Sequence, residues 1–515
     1  MYTLGDIPRK SAILFPNNTA TVFEGARLNY RQLNERVNRL ANGLLALGID
    51  KGDRLTILAE NTHKYLEVYF AASKIGISVT PLNFRLSDQE LVHIVNDSES
   101  TCFFVADGYE DRARTIQDSA PSIKYCITMD NPVDGCQAYE ELLAGAPPDE
   151  PCRDADEDAM AILMYTGGTT GAPKGVMMSH RGLMTGILSA ALGFSFNQND
   201  STCFVLPLFH ISFWPALAVL LTGGKVVINR RPNLTGILEL IQEERCTHVN
   251  AVPTLYGWLL PYVNTDTYDL SSLRSISYAG SPFPPELLKQ CIQKFGPKFQ
   301  QVYAMTECVG GTILFQQDHV LEGERSRLLA SAGRASMSVD VRVFGNDDRS
   351  LSVGEVGEIV IRGKCVMMGY WNNPQLTDST LRGGWYHTGD MGYIDEEGYL
   401  FLVDRKADMI VTGGENVYPK ETEDVLYQHP AVAMAAVVSA PDEKWGERIQ
   451  AVVVLKPDQQ ITEEELIVHC KERLAGYKCP KSVEFWSQIP TTPVGKIIRK
   501  DVKKKFWEGH DRYIG

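Results

Sequence analysis

The sequence has few of the features that mark membrane, secreted or zinc-binding proteins. Its longest uninterrupted apolar run is residues 213–221, far short of the about 20 residues that a membrane helix needs, so no span is predicted. The eleven cysteines are odd in number and form no CxxC pair, which argues against a disulfide framework and against a zinc site. The first residues, MYTLGDIPRK, lack a secretory apolar region, and DRYIG is not a peroxisomal Ser-Lys-Leu address. We therefore expect a cytoplasmic protein.

Positive charge is also scarce. The 50 Lys and Arg residues face 64 Asp and Glu residues, which gives a net charge of −14, and the one long basic run lies at residues 499–505. This balance argues against binding to the nucleic-acid backbone, and a basic run of this kind is more typical of a solvated helix face. With 44% apolar, 22% charged and 9% aromatic residues, the composition is ordinary for a soluble globular protein.

The 515 residues suggest two to four domains at about 150 residues each. Strand-like and helix-like segments alternate at first, which predicts an α/β fold with mixed and parallel β-sheets flanked by helices. We assign this pattern to a large N-terminal domain at residues 1–406, with a β-rich subdomain at about 335–403 where short strands and turns take over. A hinge near residues 404–408 precedes a small, mobile α+β C-terminal domain at residues 407–515.

The strongest local signal is the segment TGGTTGAPKG at residues 166–175, between an apolar strand at 161–165 and a strand-like stretch at 176–178. Glycines let the backbone approach an anion, and threonine hydroxyls, backbone amides and a lysine can bind phosphate oxygens. The segment is not a Walker loop, because Gly-Lys-Ser/Thr is absent. It predicts a phosphate-binding loop formed by Thr166, Gly167, Gly168, Thr169, Thr170, Gly171 and Lys174.

Four further segments follow in the same order as in a known group of enzymes. They are YAMTE at residues 303–307, YHTGD at 386–390, DRKADMIVTGGENVYP at 404–419 and PVGK at 493–496. Together with the phosphate-binding loop, they resemble the adenylate-forming superfamily, which contains acyl-CoA synthetases, peptide-synthetase adenylation domains and beetle luciferases. The resemblance covers nearly the full chain and implies that a carboxylic acid is activated with ATP.

This resemblance implies two kinds of nucleotide-binding residue: those that neutralise the phosphate charge and those that orient the ribose and the adenine. Lys174 and its loop would hold the β- and γ-phosphates, and Thr306 would donate to the α-phosphate. Glu307 would bind Mg²⁺, which prefers carboxylate and phosphate oxygens. Asp390 would accept hydrogen bonds from both ribose hydroxyls, and Tyr303 would stack on the adenine.

The resemblance implies three further nucleotide-site residues. Gly280 borders the site, and Arg405 reaches the ribose or a phosphate, with a salt bridge across the junction as the alternative. Lys496 is brought to the α-phosphate and to the carboxylate of the acid. Ala407 occupies the position of the family's pivot residue, which is commonly Asp or Lys. This difference argues against a domain rotation that relies on a charged side chain at the pivot.

The acyl pocket implied by the resemblance has no charged residue. His210 would lie between the ATP site and this pocket, with a role on the substrate side, although a lone histidine among apolar residues is often a core residue. Ala304 replaces the usual Gly and narrows one wall, whereas Gly310 and Gly311 are expected to leave room. A medium-chain or aromatic monocarboxylate is therefore expected. The pocket residues are Ser212, Trp214, Tyr256, Ala304, Val309, Gly310 and Gly311, with core packing as the alternative for Trp214 and Tyr256.

The acceptor of the acyl group separates the remaining alternatives. The resemblance to stand-alone CoA ligases implies that CoA is bound by Gly413, Gly414, Arg473 and Lys478, and no carrier-protein domain is expected in the residues after Lys496. We expect an AMP-forming acyl-CoA synthetase that uses Mg²⁺, ATP, CoA and a small carboxylic acid, and a homodimer is possible. The alternatives are a stand-alone enzyme that loads a separate carrier protein, a luciferase-like oxygenase, and a non-catalytic nucleotide-binding regulator.

One prediction concerns the division of labour between the two half-reactions. A single small domain cannot present both Lys496 and the CoA tunnel to one site at once, so the domain must rotate between the two steps. Lys496→Ala should abolish synthesis of the acyl-adenylate, while a supplied acyl-adenylate is still converted to acyl-CoA. The two steps are assayed separately, and equal loss of both would contradict the division.

Overall fold

A computed structural model describes residues 3–152, 156–166, 173–263, 267–405, 408–412, 414–442, 444–491 and 497–508. Its α-helices are α1 (Asp6–Leu14), α2 (Tyr30–Ala46), α3 (His63–Ile75), α4 (Asp88–Ser98), α5 (Glu110–Ser119), α6 (Tyr139–Ala144), α7 (His180–Gly193), α8 (Trp214–Leu221), α9 (Leu234–Glu243), α10 (Pro253–Leu259), α11 (Pro285–Phe295), α12 (Pro374–Thr380), α13 (Pro419–Tyr427), α14 (Glu463–Lys471) and α15 (Arg499–Trp507). None of the helices in the described ranges combines the length and the apolarity needed to cross a membrane.

The strands range from two to eleven residues. They are β1 (Thr19–Phe23), β2 (Ala26–Asn29), β3 (Arg54–Leu58), β4 (Ser78–Pro81), β5 (Cys102–Val105), β6 (Tyr125–Thr128), β7 (Gln137–Ala138), β8 (Met160–Thr166), β9 (Lys174–Ser179), β10 (Ser201–Phe204), β11 (Lys225–Ile228), β12 (His248–Ala251), β13 (Ser275–Ala279), β14 (Phe299–Met305), β15 (Cys308–Leu314), β16 (Arg334–Ala335), β17 (Val339–Phe344), β18 (Gly357–Gly363), β19 (Gly369–Tyr370), β20 (Tyr386–Ile394), β21 (Leu400–Arg405), β22 (Ile410–Thr412), β23 (Glu415–Val417), β24 (Val432–Asp442), β25 (Gly446–Leu455) and β26 (Ser482–Phe485).

Two large sheets form the main body. Within the described ranges, one sheet has the order β16-β15-β14-β13-β12-β10-β11-β1-β2, and the other has the order β19-β9-β8-β4-β3-β5-β6-β7. Their central strands pair in parallel, for example β10 with β12 and β3 with β5. Such strands are buried on both faces and connect through helices, and helices α3 and α8 are almost completely buried. The predicted α/β class is confirmed.

Antiparallel hairpins replace the parallel pattern at one edge of each large sheet. In the first sheet, β14 and β15 pair with Met305 opposite Cys308, so that only Thr306 and Glu307 lie in the turn. In the second sheet, β8 and β9 pair with Thr166 opposite Lys174. The two motifs of the sequence that were predicted to meet ATP phosphates are therefore the ends of two hairpins.

The predicted β-rich region forms a sheet of its own. Strands β17, β18, β20 and β21 pair antiparallel in that order. One strand within the predicted β-rich region, β19, does not belong to this sheet. It pairs with β9 of the second large sheet. The predicted domain boundaries stay predictions, although the change from helix-flanked to antiparallel sheet occurs where the sequence changes character.

One extended segment, residues 363–371, joins all three of these sheets, and we call it the crossing segment. It leaves β18, and Met367 N then donates to Glu307 O at 2.8 Å while Cys365 O accepts from Val309 N at 3.1 Å. Further along, Met368 N donates to Met177 O at 2.9 Å and Trp371 N donates to Gly175 O at 2.7 Å. The crossing segment therefore fixes β15 of one large sheet relative to β9 of the other.

The small C-terminal part has a sheet and cores of its own. Its strands have the order β23-β22-β25-β24, and β26 pairs with β25 in parallel. Val437, Ile449 and Leu466 belong to one apolar cluster, and Val438, Ile489 and Val502 belong to another. Separate cores are typical of a unit that folds on its own, in agreement with the small α+β domain expected from the sequence.

A test of this packing concerns Gly186, in the middle of α7. A Cβ atom at Gly186 would lie 2.1 Å from the carbonyl oxygen of Val309 in β15. The resulting overpacking, about 1–3 kcal/mol or more, should outweigh the gain of about 1 kcal/mol in helix propensity. We expect Gly186→Ala to lower the melting temperature by several degrees in scanning calorimetry. Gly476→Ala is the control, because nothing lies within 4 Å of its Cβ position, and an unchanged melting temperature for Gly186→Ala would contradict the packing.

Candidate active site

The turn between β14 and β15 presents two of the predicted site residues. Thr306 is buried and Glu307 is half-buried. The backbone carbonyl of Glu307 accepts the Met367 N–H, so the turn is anchored to the crossing segment. An anchored two-residue turn gives the Glu307 carboxylate a fixed base, as a binding group requires.

A tyrosine connects Glu307 with the phosphate-binding hairpin. The hydroxyl of Tyr370 in β19 donates to Glu307 Oε1 at 3.0 Å. The ammonium of Lys174, the first residue of β9, lies over the ring of the same tyrosine at 5.9 Å from its centroid. The predicted phosphate-binding lysine and the predicted metal carboxylate therefore lie around one side chain, Tyr370, which the sequence analysis did not single out.

The structure describes only the base of the phosphate-binding loop. Thr166 and Lys174 face each other as the last and first residues of β8 and β9. The predicted residues Gly167, Gly168, Thr169, Thr170 and Gly171 lie outside the described residues, and their roles stay predictions.

Asp390 lies on an irregular part of β20. The register between β18 and β20 shifts between Glu358 and Val360, opposite this stretch. Gly389 has a φ of +73°, and its N–H donates to Glu358 Oε1 at 3.2 Å. The Asp390 N–H donates to Thr388 Oγ1 at 3.0 Å. A bulge re-aims a side chain, and Glu358, which the sequence analysis missed, holds the backbone of Gly389 directly before Asp390.

Asp390 is also the meeting point of two other predicted residues. The Tyr303 hydroxyl donates to Asp390 Oδ2 at 2.7 Å, and Arg405 Nε lies 3.4 Å from Asp390 Oδ1. Burial, followed by the neighbouring carboxylate, raises the pKa of Tyr303 well above its usual value, so its hydroxyl keeps the proton that it donates. The Arg405 ion pair joins neighbouring strands β20 and β21. It does not cross the domain junction, which was the alternative for this residue.

A cluster of charges surrounds the predicted hinge. Arg499, at the start of α15, lies 2.6 Å from Glu423, 3.4 Å from Asp408 and 3.6 Å from Asp404. Asp404 Oδ2 also accepts the N–H of Lys420 at 2.8 Å, at the beginning of α13. The guanidinium of Arg499 thus joins residues on both sides of the hinge. The sequence analysis had interpreted residues 499–505, which include Arg499, as a solvated helix face.

Burial raises the pKa of Asp404 to about 6, and the nearby Glu423 contributes in the same direction, whereas Arg499 opposes the shift. The three carboxylates of this cluster therefore depend on Arg499 for compensation. Lys496 lies three residues before Arg499 in the sequence, and both Lys496 and Ala407 lie outside the described residues.

The predicted CoA residues are only partly described. Gly413 lies outside the described residues, and Gly414 is exposed with a φ of +88°. Lys478 Nζ pairs with Glu421 at 2.5 Å, and Arg473 pairs with its neighbour Glu472 at 2.9 Å. These contacts leave the proposed role in CoA binding untested.

Two predicted features of the acyl pocket need correction. Gly310 and Gly311 were expected to leave room for the acid, but a Cβ at Gly311 would lie 2.2 Å from the carbonyl oxygen of Tyr303. A Cβ at Gly310, where φ is +122°, would meet Ser338 Oγ at 3.2 Å. The space beside both glycines is therefore filled by protein, and close backbone packing explains them.

The other predicted pocket residues divide into buried and partly accessible ones. Tyr256 is fully buried, and its hydroxyl donates to Ser277 O at 2.7 Å. Val309 and Trp214 are buried as well. Ala304 and Ser212 are half-buried. Outside the predicted pocket set, His210 and the predicted nucleotide residue Gly280 are exposed.

His210 caps a short helical turn that carries Ser212. Its Nδ1 accepts the Ser212 N–H at 3.3 Å. This bond requires Nδ1 to be unprotonated, and it fixes the orientation of the ring at the surface of the site. His210 is exposed and is therefore not a histidine packed in the core, while its role on the substrate side stays a prediction.

No group of three or more His, Cys, Asp or Glu side chains that could hold a metal occurs in the described ranges. A magnesium ion bound together with a nucleotide does not need one, because it commonly takes one or two carboxylates plus phosphate and water oxygens. Glu307, with one oxygen bound by Tyr370, fits this requirement.

Comparison with known proteins covers both parts of the chain. A family model described as AMP-binding enzyme matches residues 9–371, and a model described as AMP-binding enzyme C-terminal domain matches residues 421–496. These matches contain the phosphate-binding segment, the Thr306–Glu307 turn, and the C-terminal stretch that ends at Lys496.

Similar proteins cover the same length. The feruloyl-CoA synthase of Amycolatopsis sp is 38% identical over 98% of this chain and 99% of its own. A fatty acid–[acyl-carrier-protein] ligase, ScoC, of Streptomyces coeruleorubidus is 34% identical over 97% of this chain and 95% of its own. The solved structure of o-succinylbenzoate CoA synthetase (MenE) from Bacillus subtilis, with its acyl-adenylate intermediate, matches with a TM-score of 0.84 at 32% identity, covering 99% of this chain and 98% of that one.

A prediction follows from the hinge cluster. Arg499→Met leaves Asp404, Asp408 and Glu423 without their shared cation. Removing one partner of a buried ion pair costs about 3–5 kcal/mol, and because a quarter of the Arg499 side chain is exposed we expect about 2 kcal/mol. Amides of α13 and α15 should then exchange hydrogen about 30-fold faster in deuterium-exchange measurements.

The control for this measurement lies in the same helix. Lys505 pairs with Glu484 at 2.8 Å, and both side chains are exposed. Lys505→Met should change the exchange rates by less than about fivefold, since exposed pairs contribute about 0–1 kcal/mol. Equal exchange in the two variants would show that the Arg499 cluster does not hold these helices.

Proposed function

The chain belongs to the AMP-binding enzyme family, and from this premise we propose that it is an AMP-forming carboxylic acid:CoA ligase. The observation that carries the proposal is the convergence of the phosphate-loop Lys174 and the Glu307 carboxylate around Tyr370. Tyr303, whose hydroxyl donates to Asp390 of β20, lies on β14, the strand that leads into the same turn.

The reaction has two steps. A carboxylate oxygen of the acid attacks the α-phosphorus of ATP, the bond between this phosphorus and the bridging oxygen breaks, and pyrophosphate leaves. The CoA sulfur, after loss of its proton, then attacks the acyl carbonyl, and AMP leaves as the thioester forms. The first step brings anions together, so catalysis depends on positioning and on charge neutralisation.

The residues of this chain supply both requirements in the proposed first step. Lys174 and the loop that begins at Thr166 bind the β- and γ-phosphates, and Thr306 donates to the α-phosphate. Asp390 accepts hydrogen bonds from the ribose hydroxyls, and Tyr303 packs against the adenine. Lys496 approaches the α-phosphate and the acid when the small domain is in its adenylation position.

Mg²⁺ belongs to this proposal. Glu307 would hold it together with phosphate oxygens, in keeping with the single half-buried carboxylate at the turn. When bound, the ion neutralises phosphate charge. Arg405, already paired with Asp390 at 3.4 Å, would lie beside the ribose.

We favour CoA over a carrier protein as the acceptor. The proposed CoA residues are Gly413, Gly414, Arg473 and Lys478, and the feruloyl-CoA synthase aligns over the whole chain. Loading of a separate carrier protein is the second candidate, which the full-length similarity to ScoC supports.

The acid is proposed to be a neutral-tailed monocarboxylate of aromatic or medium-chain type. Among the predicted pocket residues the accessible ones, Ala304, Ser212 and His210, offer no fixed cation for a second carboxylate. Burying an unpaired charge costs several kcal/mol. The relative at 38% identity is named for an aromatic acid, ferulic acid, which favours the aromatic class. A cytoplasmic location and a homodimer stay predictions.

The proposal is tested with a panel of acids, in which AMP formation is measured with CoA and, separately, with a phosphopantetheinylated carrier protein. Aromatic and medium-chain acids with CoA should give the highest kcat/KM, and acetate and succinate should be poor substrates. AMP formation that requires the carrier protein would favour the second candidate. Acetate or succinate as the best substrate would contradict the proposed acid class.

The same panel tests the wall formed by Ala304. Ala304→Gly removes a methyl group and should raise kcat/KM for bulkier acids relative to smaller ones. Ala191→Gly, at a half-buried alanine of α7 outside the predicted pocket, should leave the ranking unchanged. An unchanged size ranking in Ala304→Gly would remove this residue from the pocket.

A further inference from the structure

Tyr370 lies at the one described point where the crossing segment, the phosphate-binding hairpin and the β14–β15 turn come together. It pairs with Val176 in β9, and its hydroxyl donates to Glu307 Oε1 at 3.0 Å. Its side chain is buried, at 8% exposure. Lys174 and Glu307 both contact this side chain, although Tyr370 itself has no assigned role in binding the nucleotide or the acid.

The backbone around Tyr370 is held from several sides. The Tyr370 N–H donates to Thr377 Oγ1 at 2.9 Å. The next residue, Trp371, donates its N–H to Gly175 O at 2.7 Å and its ring Nε1–H to Asp97 O at 2.8 Å. With both neighbouring peptide groups bound, the tyrosine has a fixed base from which to orient other groups.

The ring of Tyr370 lies between two opposite charges. The Lys174 ammonium is over the ring face, 5.9 Å from the centroid, which is within the range of a cation–π contact. Glu307 binds the hydroxyl at the other end of the same side chain. Among the described residues, no ion pair joins Lys174 to Glu307. A direct pair would neutralise both groups before the nucleotide arrives.

We propose that Tyr370 is a positioning residue for nucleotide binding, which holds the Glu307 carboxylate with its hydroxyl and the Lys174 ammonium with its ring, and thereby keeps both charges available to the metal–nucleotide complex. The inference rests on the proposed function, because it assumes that ATP binds at this site. It assigns Tyr370 no contact with the reacting atoms.

The hydrogen bond from Tyr370 to Glu307 fits this role, because the phenol hydroxyl donates to a carboxylate oxygen at 3.0 Å. Hydrogen bonds to carboxylates belong to the stronger type.

The test is the binding of ATP to the full chain, measured by titration calorimetry with Mg²⁺ and again with EDTA. Tyr370→Phe removes only the hydroxyl. We expect affinity to fall about tenfold with Mg²⁺, the loss of one hydrogen bond to a charged group, and to change by less than about twofold with EDTA. Tyr370→Leu removes the ring face from Lys174 as well, so affinity should fall under both conditions.

A double-mutant cycle asks whether Tyr370 acts through Glu307. In a Glu307→Ala background the hydroxyl has lost its acceptor, so adding Tyr370→Phe should change Mg²⁺-dependent affinity by less than about twofold. A full tenfold effect in that background, or no effect of Tyr370→Phe in the wild-type chain, would overturn the inference.

A matched control separates this role from general stability. Tyr399 is also buried, and its hydroxyl donates to a carboxylate, Asp318, at 2.8 Å. Tyr399→Phe should leave ATP affinity unchanged, and equal losses in both tyrosine variants would also overturn the inference. Acyl-CoA formation by the wild-type chain is assayed in parallel. Its absence, with intact Mg²⁺-dependent ATP binding, would contradict the proposed function and leave the role of Tyr370 in place.

Discussion

The crossing segment, residues 363–371, is the constraint on which the geometry of the site depends. It is hydrogen-bonded to the β14–β15 turn through Glu307, to β15 through Val309, and to β9 through Gly175 and Met177. Two separate sheets can place two hairpin ends together only if their relative position is fixed, and backbone bonds to both sheets fix it. Helix α7 adds to this, because Gly186 lets it pack directly on the Val309 carbonyl of β15.

The strand ends and the turn that the crossing segment connects carry the charged side chains Lys174 and Glu307. Lys174 lies over the ring of Tyr370 and Glu307 accepts the hydroxyl of the same side chain, while Asp390 contacts Tyr303 and Arg405. Phosphoryl and adenylyl transfers require mainly positioned charge. Fixed charges need no reorganisation during the reaction, which is the advantage of building them on strand ends and a two-residue turn.

The hinge is governed by a different balance of charge. Asp404, Asp408 and Glu423 share the guanidinium of Arg499, and burial raises the pKa of Asp404. Arg499 begins the helix that follows the Lys496 segment in the sequence. Helix α15 and the hinge are therefore linked through the side chain of Arg499, and a movement of the small domain relative to Asp404 would exchange this contact for another.

The sequence by itself determined the elements and the chemistry that local patterns encode. Alternating apolar segments predicted the α/β sheets, and the residue types of the glycine-rich segment predicted phosphate binding. The roles of Thr306 and Glu307 were implied by the family resemblance and not by their residue types. Only the tertiary structure decided which groups meet. Tyr370 and Glu307 are 63 residues apart, and Arg499 and Glu423 are 76 residues apart, so no local periodicity links them. The same limit explains the error at Gly310 and Gly311: a glycine in a sequence does not tell whether the space beside it is open or, as here, is filled by the backbone of Tyr303 and the side chain of Ser338.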